Sequence, residues 1–355
     1  MMAYSTADIR NIALVGPAGA GKTLLAEALL LEGGAIRSRG SLERGTTACD
    51  FDPQERALQH SLDAAIVHFD VDGCRINLID TPGTADFVGR SLSMLEAVET
   101  AAVVVSAATG LEPVTQRMME FARDRELCRI IVINKIDARD AHPERVLAEL
   151  REAFGRECLP LNLPAKGRER VIDCFFQPGD GEPEFGAVAA AHTEIIDQVV
   201  EVDEKLMALY LEQGEDLSPE QLHDPFEQAL REGHLVPVCF VSAETGAGVR
   251  ELTQILARLM PNPLEGNPPP FLRGTGAQAE RVRVTQNSDD HVIAHVFKVN
   301  IDPFVGRLGV LRVHQGTLRS GAQLFVGDAR KPIKAAHLYQ LQGKEHTEVP
   351  RAIPG

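Results

Sequence analysis

One stretch of sequence decides the fold, Gly16-Pro17-Ala18-Gly19-Ala20-Gly21-Lys22-Thr23. It follows the apolar run Ile12 to Val15 and precedes a helical pattern over 23–31, the strand–loop–helix setting of a GxxxxGK[ST] phosphate-binding loop. In such a loop, backbone N–H groups and the positive end of the helix dipole hold phosphate oxygens. The residues predicted to bind the nucleotide here are Ala18, Gly19, Ala20, Gly21, Lys22, Thr23 and Leu24.

The phosphate side of the predicted site has a second loop, Asp80-Thr81-Pro82-Gly83, at the end of a hairpin strand expected beside the first strand. We expect Lys22 to contact the β- and γ-phosphates and the Thr23 hydroxyl to ligate Mg²⁺. Asp80 can hold the same ion through a water molecule, and the Gly83 N–H can face the γ-phosphate. These residues predict a bound Mg²⁺ together with the nucleotide.

Two further loops predict which base is bound. Asn134-Lys135-Ile136-Asp137 follows an apolar run, and the Asp137 carboxylate can accept hydrogen bonds from guanine N1–H and from its exocyclic amine. Adenine lacks this donor pair, so the motif favours GTP and GDP over ATP and argues against a P-loop kinase or ATPase. Lys135 can lie along the base, and Asn134 can tie this loop to the phosphate loop. Ser242-Ala243-Glu244 also follows a strand pattern and would place the Ala243 N–H on guanine O6.

Alternating patterns predict an α/β fold with a parallel sheet. Apolar runs at 64–69 and 74–79 flank Asp70-Val71-Asp72-Gly73, which we interpret as a hairpin turn because the rest of a calcium-loop pattern is missing. The other predicted strands are 101–106, 129–133 and 236–241, and the predicted helices are 91–100, 113–125, 142–154 and 248–259. The polar segment 33–61 shows little periodicity and is predicted to be a loop or switch.

The remaining segments predict two additions to this domain. About a hundred residues separate Asp137 from Ser242, more than a crossover connection needs, so an inserted subdomain is expected at about 160–232. It would contain strands near 171–176 and helices near 189–213 and 219–232. After the Pro-rich linker 261–270, residues 291–326 predict short strands with turns at Gly306, Gly309, Gly316 and Gly321, a small β-barrel. The expected domains are 1–265 and 272–355.

The predicted fold class is therefore α/β: a P-loop GTPase domain with an inserted α+β subdomain, followed by a small antiparallel β-barrel. The 355 residues carry a formal net charge of −15, which argues against non-specific coating of nucleic acid and against free DNA as a partner. Apolar runs are too short for a membrane span and a signal peptide is missing, so a cytoplasmic location is expected. The six cysteines form no CxxC pair and predict neither disulfides nor a zinc site, with a redox switch as the alternative.

With these motifs assembled, the chain resembles the translational GTPases, and within them elongation factor G and its elongation factor G-like paralogues. The resemblance rests on Asp80 to Gly83 followed by Asp86-Phe87-Val88, on Asn134 to Asp137, on the insert before Ser242, and on Asp302-Pro303-Phe304-Val305-Gly306 in the barrel. It covers essentially the whole chain. It implies GTP hydrolysis, association with the ribosome, and three further domains after the barrel, so the chain is expected to be a truncated or early-ending form.

Two departures from the family pattern bear on catalysis. The family's first switch ends in an Arg-Gly-Ile-Thr box whose Thr binds Mg²⁺, whereas the matching stretch here is Leu58-Gln59-His60-Ser61. We expect Ser61 to be the metal ligand, with Thr47 of Arg44-Gly45-Thr46-Thr47 as the alternative. Thr84 stands where the family has a His that orients the attacking water. Lys22, Gly83 and Thr84 are the predicted catalytic residues, and a nucleotide-binding regulator with little or no hydrolysis is the alternative function.

Overall fold

The computed structural model describes residues 4–213, 219–274, 276, 279–302, 306–327 and 329–355. Its strands are β1 (Ile9–Val15), β2 (Ala65–Val71), β3 (Cys74–Asp80), β4 (Thr100–Ser106), β5 (Cys128–Asn134), β6 (Cys158–Pro160), β7 (Asn162–Pro164), β8 (Val171–Asp173), β9 (Val236–Phe240), β10 (Phe271–Arg273), β11 (Glu280–Val282), β12 (Ile293–Asp302), β13 (Gly306–Gln315), β14 (Leu318–Arg319), β15 (Gln323–Leu324), β16 (Ile333–Lys334), β17 (Leu338–Gln342), β18 (Glu345–Val349) and β19 (Arg351–Ala352). Its α-helices are α1 (Lys22–Glu32), α2 (Pro53–Leu58), α3 (Val88–Leu95), α4 (Pro113–Asp124), α5 (Pro143–Phe154), α6 (Val188–Val200), α7 (Glu204–Gln213), α8 (Pro219–Glu232) and α9 (Val249–Arg258).

Seven strands form one sheet in the order β2-β3-β1-β4-β5-β9-β6. All neighbours in it are parallel except β2, which is antiparallel to β3. β1 and β4 are buried along their whole length, because helices cover both faces of a parallel sheet. The carboxyl ends of β1, β3, β5 and β9 therefore meet at one edge, where ligands bind in open sheets of this kind. All four predicted nucleotide loops follow these strand ends.

The predicted hairpin is confirmed. β2 and β3 pair antiparallel from Val71 opposite Cys74 to Ala65 opposite Asp80. Asp72 and Gly73 have φ of 49° and 82°, the left-handed backbone that a two-residue hairpin turn requires. The Arg258 guanidinium, on α9, donates to the Asp72 carboxylate over 2.8 Å, so this acidic turn is paired with a cation of the protein.

Two sequence predictions for the first hundred residues, at 91–100 and at 33–61, were wrong in detail. The helix expected at 91–100 is α3, which ends at Leu95, because the chain turns at 96–99 and Thr100 pairs with Ile12 as the first residue of β4. The segment 33–61 is not wholly a loop. It contains the short helix α2, which begins because Asp52 caps the Gln54 N–H and Glu55 reaches back to the Asp52 N–H.

The insert differs from its predicted outline in its strands and helices. β6 ends at the expected start of the insert, residue 160, and pairs parallel with β9, so it belongs to the main sheet. The strand expected near 171–176 ends at Asp173, whose carboxylate accepts three following backbone N–H groups and turns the chain. The helix expected at 189–213 is two helices, α6 and α7. α8 then spans 219–232 and leads back to β9.

The C-terminal part consists of antiparallel strand pairs, of which β12 and β13 are the longest. Gly306, Gly316 and Gly321 have positive φ, as turns require. Gly309 does not form a turn as predicted, because it lies inside β13 opposite Val299. Residues 303–305 of the motif Asp302 to Gly306 lie outside the described residues.

A small apolar core organises this part, with Val313, Leu318 and Leu338 buried at its centre. A buried ion pair joins it to the large sheet. The Arg312 guanidinium donates to the Glu99 carboxylate over 2.6 Å and to the Ala97 carbonyl over 2.7 Å. Asn11, at the base of β1, also donates to Glu99 over 2.9 Å.

Burial affects five of the six cysteines, and all six are free thiols. It raises the pKa of Cys128, Cys158 and Cys174 to about 12, so these thiols stay protonated at neutral pH.

Among the residues that the structure describes, none of the helices has the length and apolar composition needed to cross a membrane.

Candidate nucleotide site

The phosphate loop runs from the end of β1 into the start of α1, as its motif predicts. Gly21 begins the helix with φ of 89°, which strongly favours glycine. A Cβ at Gly21 would also lie 2.6 Å from the Asn134 amide nitrogen, so the two loops approach too closely for any side chain there. Ala18 and Gly19 are exposed at the tip of the loop, and Leu24 packs against the core from the first turn of α1.

Lys22 is buried under the loop that it follows. Its ammonium donates to the carbonyls of Gly16 over 2.9 Å and Pro17 over 2.8 Å. Burial lowers the pKa of Lys22, and the nearby Asp80 carboxylate partly offsets this effect. A buried cation with only carbonyl acceptors is ready to pair with an anion, so the loop provides positive charge where phosphates are expected.

The three predicted metal ligands lie together at the start of α1. The Thr23 hydroxyl donates to Asp80 Oδ2 over 2.7 Å and lies 3.2 Å from the Ser61 hydroxyl. Asp80 Oδ1 is buried and has no hydrogen-bond partner among the described residues. Burial raises the pKa of Asp80, and the neighbouring Asp50 carboxylate raises it further. Two hydroxyls and a carboxylate with an unused oxygen suit a hard divalent cation such as Mg²⁺.

The hydroxyl that reaches Thr23 belongs to Ser61 and not to the alternative, Thr47. Thr47 is buried elsewhere in the segment, where its hydroxyl accepts the Asp50 N–H over 3.3 Å. His60 turns a ring nitrogen towards the Ser61 carbonyl over 3.3 Å. The structure therefore favours Ser61 over Thr47 as the candidate ligand from this segment.

Asp50 is a candidate that the sequence analysis missed. It is buried, its Oδ2 has no partner in the described part of the chain, and it lies near enough to Asp80 to raise that residue's pKa. Burial raises the pKa of Asp50 itself, and the Ser61 hydroxyl lowers it. The capping pattern of Asp52 and Glu55 indicates a helix between Asp50 and Ser61. A helix shortens the distance that the chain spans between these two residues, so this pattern could have pointed to Asp50.

Two buried glutamates hold the switch segment, and the sequence analysis missed these as well. Glu27, on α1, accepts the Gly40 N–H over 2.7 Å and the Ala48 N–H over 2.5 Å. Glu55 accepts the Leu62 N–H over 2.9 Å and the Asp63 N–H over 3.1 Å. Each carboxylate replaces the backbone partners that a loop lacks, so the segment has a defined path past the site.

Gly83 lies against the phosphate loop, and its carbonyl accepts the Ala18 N–H over 3.0 Å. A Cβ at this position would collide with the Lys22 ammonium and lie 2.5 Å from the Ala18 nitrogen, so only glycine fits. Thr84 follows, and its hydroxyl is buried without a partner among the residues described. Of the three predicted catalytic residues, the structure thus places Gly83 against Lys22, and Thr84 follows Gly83 in the chain.

The two guanine loops are hydrogen-bonded to each other and to the phosphate loop. The Asn134 amide donates to the Ala20 carbonyl over 2.9 Å, and its oxygen accepts the Ala243 N–H over 3.0 Å. The Ser242 hydroxyl donates to Asp137 Oδ1 over 2.6 Å and so orients that carboxylate. The Ala243 N–H predicted for guanine O6 is therefore bonded to Asn134, and contact with a base requires that this bond be shared or exchanged.

Arg39, which no motif predicted, contacts the outer rim of the guanine site. Lys135 has φ of 64°, a left-handed backbone that turns the loop between Asn134 and Asp137. The Glu244 side chain is exposed. The main-chain carbonyl of Glu244 accepts a hydrogen bond from the Arg39 guanidinium over 3.0 Å. Arg39 comes from the switch segment, which therefore touches both the phosphate side and the base side of the site.

Comparison with known proteins identifies the family. Residues 7–262 match the family described as elongation factor Tu GTP binding domain, and residues 291–355 match elongation factor G domain 2. The first match covers most of the chain and includes all four nucleotide loops. The chain therefore belongs to the GTP-binding domain family of elongation factor Tu.

The relatives narrow this assignment. An elongation factor G-like protein of Mycobacterium tuberculosis is 34% identical, covering 90% of this chain and 46% of that protein. An elongation factor G-like protein of Thermotoga maritima is 30% identical, covering 98% of this chain and 51% of that protein. A crystal structure of a Thermus thermophilus protein aligns with a TM-score of 0.82 and 33% identity, over 98% of this chain and 51% of that chain. The chain spans about half the length of these proteins, and its family is the translational GTPases of the elongation factor G type.

Proposed function

We propose that this chain binds GTP and GDP with Mg²⁺ and hydrolyses GTP, as part of a translation factor that works on the ribosome. The observation that carries the proposal is the convergence of four loops at one edge of the sheet, with Thr23, Ser61 and Asp80 in contact at the phosphate end and Asp137 held by Ser242 at the base end. Family membership supports binding of a guanine nucleotide.

The base end accounts for selectivity in this proposal. The residues proposed to contact guanine are Asn134, Lys135, Asp137, Ser242, Ala243 and Glu244. The Asp137 carboxylate accepts from the two donors of guanine, and it is exposed enough to meet the base while Ser242 fixes its orientation. An adenine ring presents no such pair of donors to this carboxylate, and ATP is therefore excluded.

The phosphate end accounts for the metal and the charge. Thr23, Ser61 and Asp80 are the proposed Mg²⁺ ligands, with Asp50 as an additional acidic neighbour, and the unused Asp80 Oδ1 is the observation that fits them to a cation. When bound, Mg²⁺ neutralises phosphate charge and polarises the γ-phosphate. The residues 18–24 hold the phosphates through backbone N–H groups and the Lys22 ammonium.

Hydrolysis requires a water in line with the γ-phosphate and donors that stabilise its developing charge. Lys22 supplies a cation and Gly83 a backbone N–H on that side. Thr84, next to Gly83, has a hydroxyl without a hydrogen-bond partner in the described part of the chain, and it is the group that we propose to hold the water molecule. A hydroxyl cannot carry positive charge as an imidazole can. We therefore propose that the chain alone hydrolyses GTP slowly.

The proposal extends to the whole protein and its setting. Residues 1–265 form the nucleotide-binding domain with its insert at about 160–232, and residues 272–355 form a barrel domain. The ribosome is the proposed partner of the full-length protein, and the cytoplasm is its proposed location. Residues 291–355, which match elongation factor G domain 2, support this organisation.

A second candidate is a guanine-nucleotide switch with little or no hydrolysis. Thr84 favours it, because that hydroxyl replaces the residue expected to orient water, while the binding loops keep their motifs. Both candidates require guanine-nucleotide binding, and they differ only in turnover.

The test has two stages. Calorimetric titration of the chain with GDP and GTP, in Mg²⁺ and in EDTA, and with ATP as the competitor, measures binding. Competition by ATP at equal concentration would contradict guanine selectivity. GTP turnover of the full-length protein with and without ribosomes then separates the two candidates, since only the hydrolysing factor should be stimulated.

A further inference from the structure

The switch segment contains a closed loop that we call the strap, residues 39–48. Within it, the Thr46 N–H donates to the Ser41 carbonyl over 3.0 Å, and the Ser41 N–H donates back to the Thr46 hydroxyl over 3.0 Å. The Glu27 carboxylate pins both ends by accepting the Gly40 and Ala48 N–H groups. The strap is therefore bonded within itself and anchored to α1, the helix that begins at the phosphate loop.

Arg39 joins the strap to the guanine loop. Its guanidinium donates to the carbonyls of Ala243 and Glu244, and one nitrogen lies 3.3 Å from the Glu244 carboxylate. The Glu244 side chain is mostly exposed, so the ion pair contributes little, and the charge-assisted bonds to the two carbonyls are the stronger link. The other side of the same loop is held by Asn134 and Asp137.

We propose that Arg39 is a positioning residue that closes the strap onto the guanine loop and sets the rate of nucleotide release. This inference rests on the proposed binding of GDP and GTP. A base held between the loops at 134–137 and 242–244 leaves when the second loop moves outward. That motion must break the Arg39 bonds to the Ala243 and Glu244 carbonyls, because those atoms belong to the moving loop. Arg39 thereby also links the base site to the segment that carries Ser61.

The arrangement predicts a particular kinetic signature. Loss of a closing strap speeds release without slowing association, since the opened loops still admit the nucleotide. Collapse of the site would slow association. A charge effect at long range would appear equally when a neighbouring arginine is removed and would diminish in salt.

The experiment compares Arg39→Ala with the matched control Arg37→Ala, which removes the same charge from an exposed side chain two residues away. Release and association of fluorescent GDP are followed by stopped flow in 0.1 M and 0.5 M salt. We expect GDP release from Arg39→Ala to be about tenfold faster, because roughly one strong charged hydrogen bond is lost. GDP association should not be slowed. Arg37→Ala should stay within about twofold of the unchanged chain. Arg39→Lys, which keeps the charge and loses the planar fork, should fall between them.

Tryptic cleavage after Arg44, an exposed residue of the strap, gives a readout that does not depend on nucleotide kinetics. GDP should protect this bond in the unchanged chain and protect it less in Arg39→Ala. Equal release rates for Arg39→Ala and Arg37→Ala, or unchanged protection, would overturn the inference while leaving the proposed function intact. Failure of the unchanged chain to bind GDP would overturn both. A thermal unfolding midpoint near that of the unchanged chain verifies that Arg39→Ala is folded, and Arg39→Lys serves if it is not.

Discussion

At the base end of the nucleotide site the protein bonds its own polar groups, whereas at the phosphate end it leaves several without partners. Asn134 donates to the phosphate loop and accepts from the guanine loop, and Asp137 accepts from Ser242. By contrast, one buried carboxylate oxygen of Asp80 and one of Asp50 have no partner in the described residues. A buried polar atom without a bond costs free energy, so such atoms mark where a ligand completes the structure.

The difference teaches that the two ends bind in different ways. The base end is preorganised by the fold, and guanine selectivity follows from a carboxylate that is already oriented. The phosphate end depends on charge supplied by nucleotide and metal, which would relieve both the buried Lys22 ammonium and the buried Asp80 carboxylate. Substitutions at the two ends should therefore differ in their dependence on Mg²⁺ and in their effect on the stability of the free chain.

The largest effect on affinity is expected for Lys22→Met. Loss of the buried ammonium removes charge-assisted bonds to phosphate, and GDP affinity should fall by more than about 100-fold, or roughly 3 kcal/mol. The unfolding temperature of the nucleotide-free chain should not fall, because Met removes a buried charge that burial disfavours. Calorimetry and thermal unfolding measure the two quantities. A marked loss of thermal stability would instead indicate that Lys22 supports the loop itself.

The next effect is expected at the base end. Asp137→Asn replaces an acceptor oxygen with an amide donor and should weaken GTP binding by at least about 1.5 kcal/mol, with preference shifting towards xanthine nucleotides. The loss should be the same in Mg²⁺ and in EDTA, since the base end does not touch the metal ligands. Asp140→Asn, at an exposed position three residues on, is the control. Competition of GTP, XTP and ATP against labelled GDP measures the change, and a loss seen only with Mg²⁺ would contradict the contrast between the ends.

A smaller, metal-dependent effect is expected for Asp50→Asn. Removing this carboxylate beside Asp80 and Ser61 should raise the Mg²⁺ concentration needed for half-maximal GDP binding about fivefold, or roughly 1 kcal/mol. Binding in EDTA should be unchanged. Glu43→Gln removes an exposed charge from the same segment and serves as the control. If both variants shift the Mg²⁺ requirement equally, Asp50 acts only through the general field of the protein.

The base end and the phosphate loop could be predicted from the sequence because each motif is contiguous and follows a strand. Asn134 bonds to the phosphate loop as expected from the motif alone. Secondary structure was predicted best where a strand contains a run of buried apolar residues, as in β4 and β5. The prediction was wrong at 96–99, where no turn residue marks the end of α3 and the pairing of Thr100 with β1 decides the boundary.

The switch segment could not be predicted in this way, because its structure depends on contacts distant in sequence. Glu27 lies in a helix, and nothing in its neighbours indicates that it binds the N–H groups of Gly40 and Ala48. Arg39 reaches a loop two hundred residues away. Asp50 becomes a candidate only when α2 and the buried Asp80 are placed together. Such polar contacts leave no periodic pattern, so only the three-dimensional structure reveals them.

A still smaller effect on affinity is expected when the chain is ended near Pro263. All four nucleotide loops precede that point, and the large core lies in the same part of the chain. The second part touches the phosphate side of the first, where the Gly343 N–H donates to the Ile66 carbonyl over 2.8 Å and Lys298 lies 3.1 Å from the Asp63 carboxylate. Because Ile66 and Asp63 belong to none of the four nucleotide loops, GDP affinity should still stay within about twofold, or 0.4 kcal/mol.

The shortened chain needs one compensating change. Without Arg312, the buried Glu99 carboxylate would lose its cation, so Glu99→Gln should restore stability to the shortened form. Calorimetry of both shortened forms checks the prediction. A tenfold loss of GDP affinity, about 1.4 kcal/mol, in the stabilised form would show that the second part supports the nucleotide site.

The last prediction concerns turnover and not affinity. The chain alone should hydrolyse GTP slowly, with a rate on the order of 10⁻⁴ per second, the range of GTPases that lack an added cation at the γ-phosphate. Thr84 offers a hydroxyl where the resemblance expects an imidazole, and the segment Leu58 to Ser61 supplies no arginine. Lys22 is the buried cation beside Gly83. Single-turnover hydrolysis by the purified chain measures this rate.

Thr84→His then tests whether this position limits the reaction. The Thr84 hydroxyl has no hydrogen-bond partner among the described residues, and the residue is partly exposed, so Thr84→His removes no hydrogen bond of the described structure. GDP affinity should be unchanged, because the proposed role of Thr84 is at the γ-phosphate, which GDP lacks. Turnover of the full-length variant should rise when ribosomes are present, since the imidazole can orient the attacking water there. A rate near one per second for the unchanged chain without any partner would place the catalytic group elsewhere, and an unchanged ribosome-stimulated rate in Thr84→His would remove this position from the mechanism.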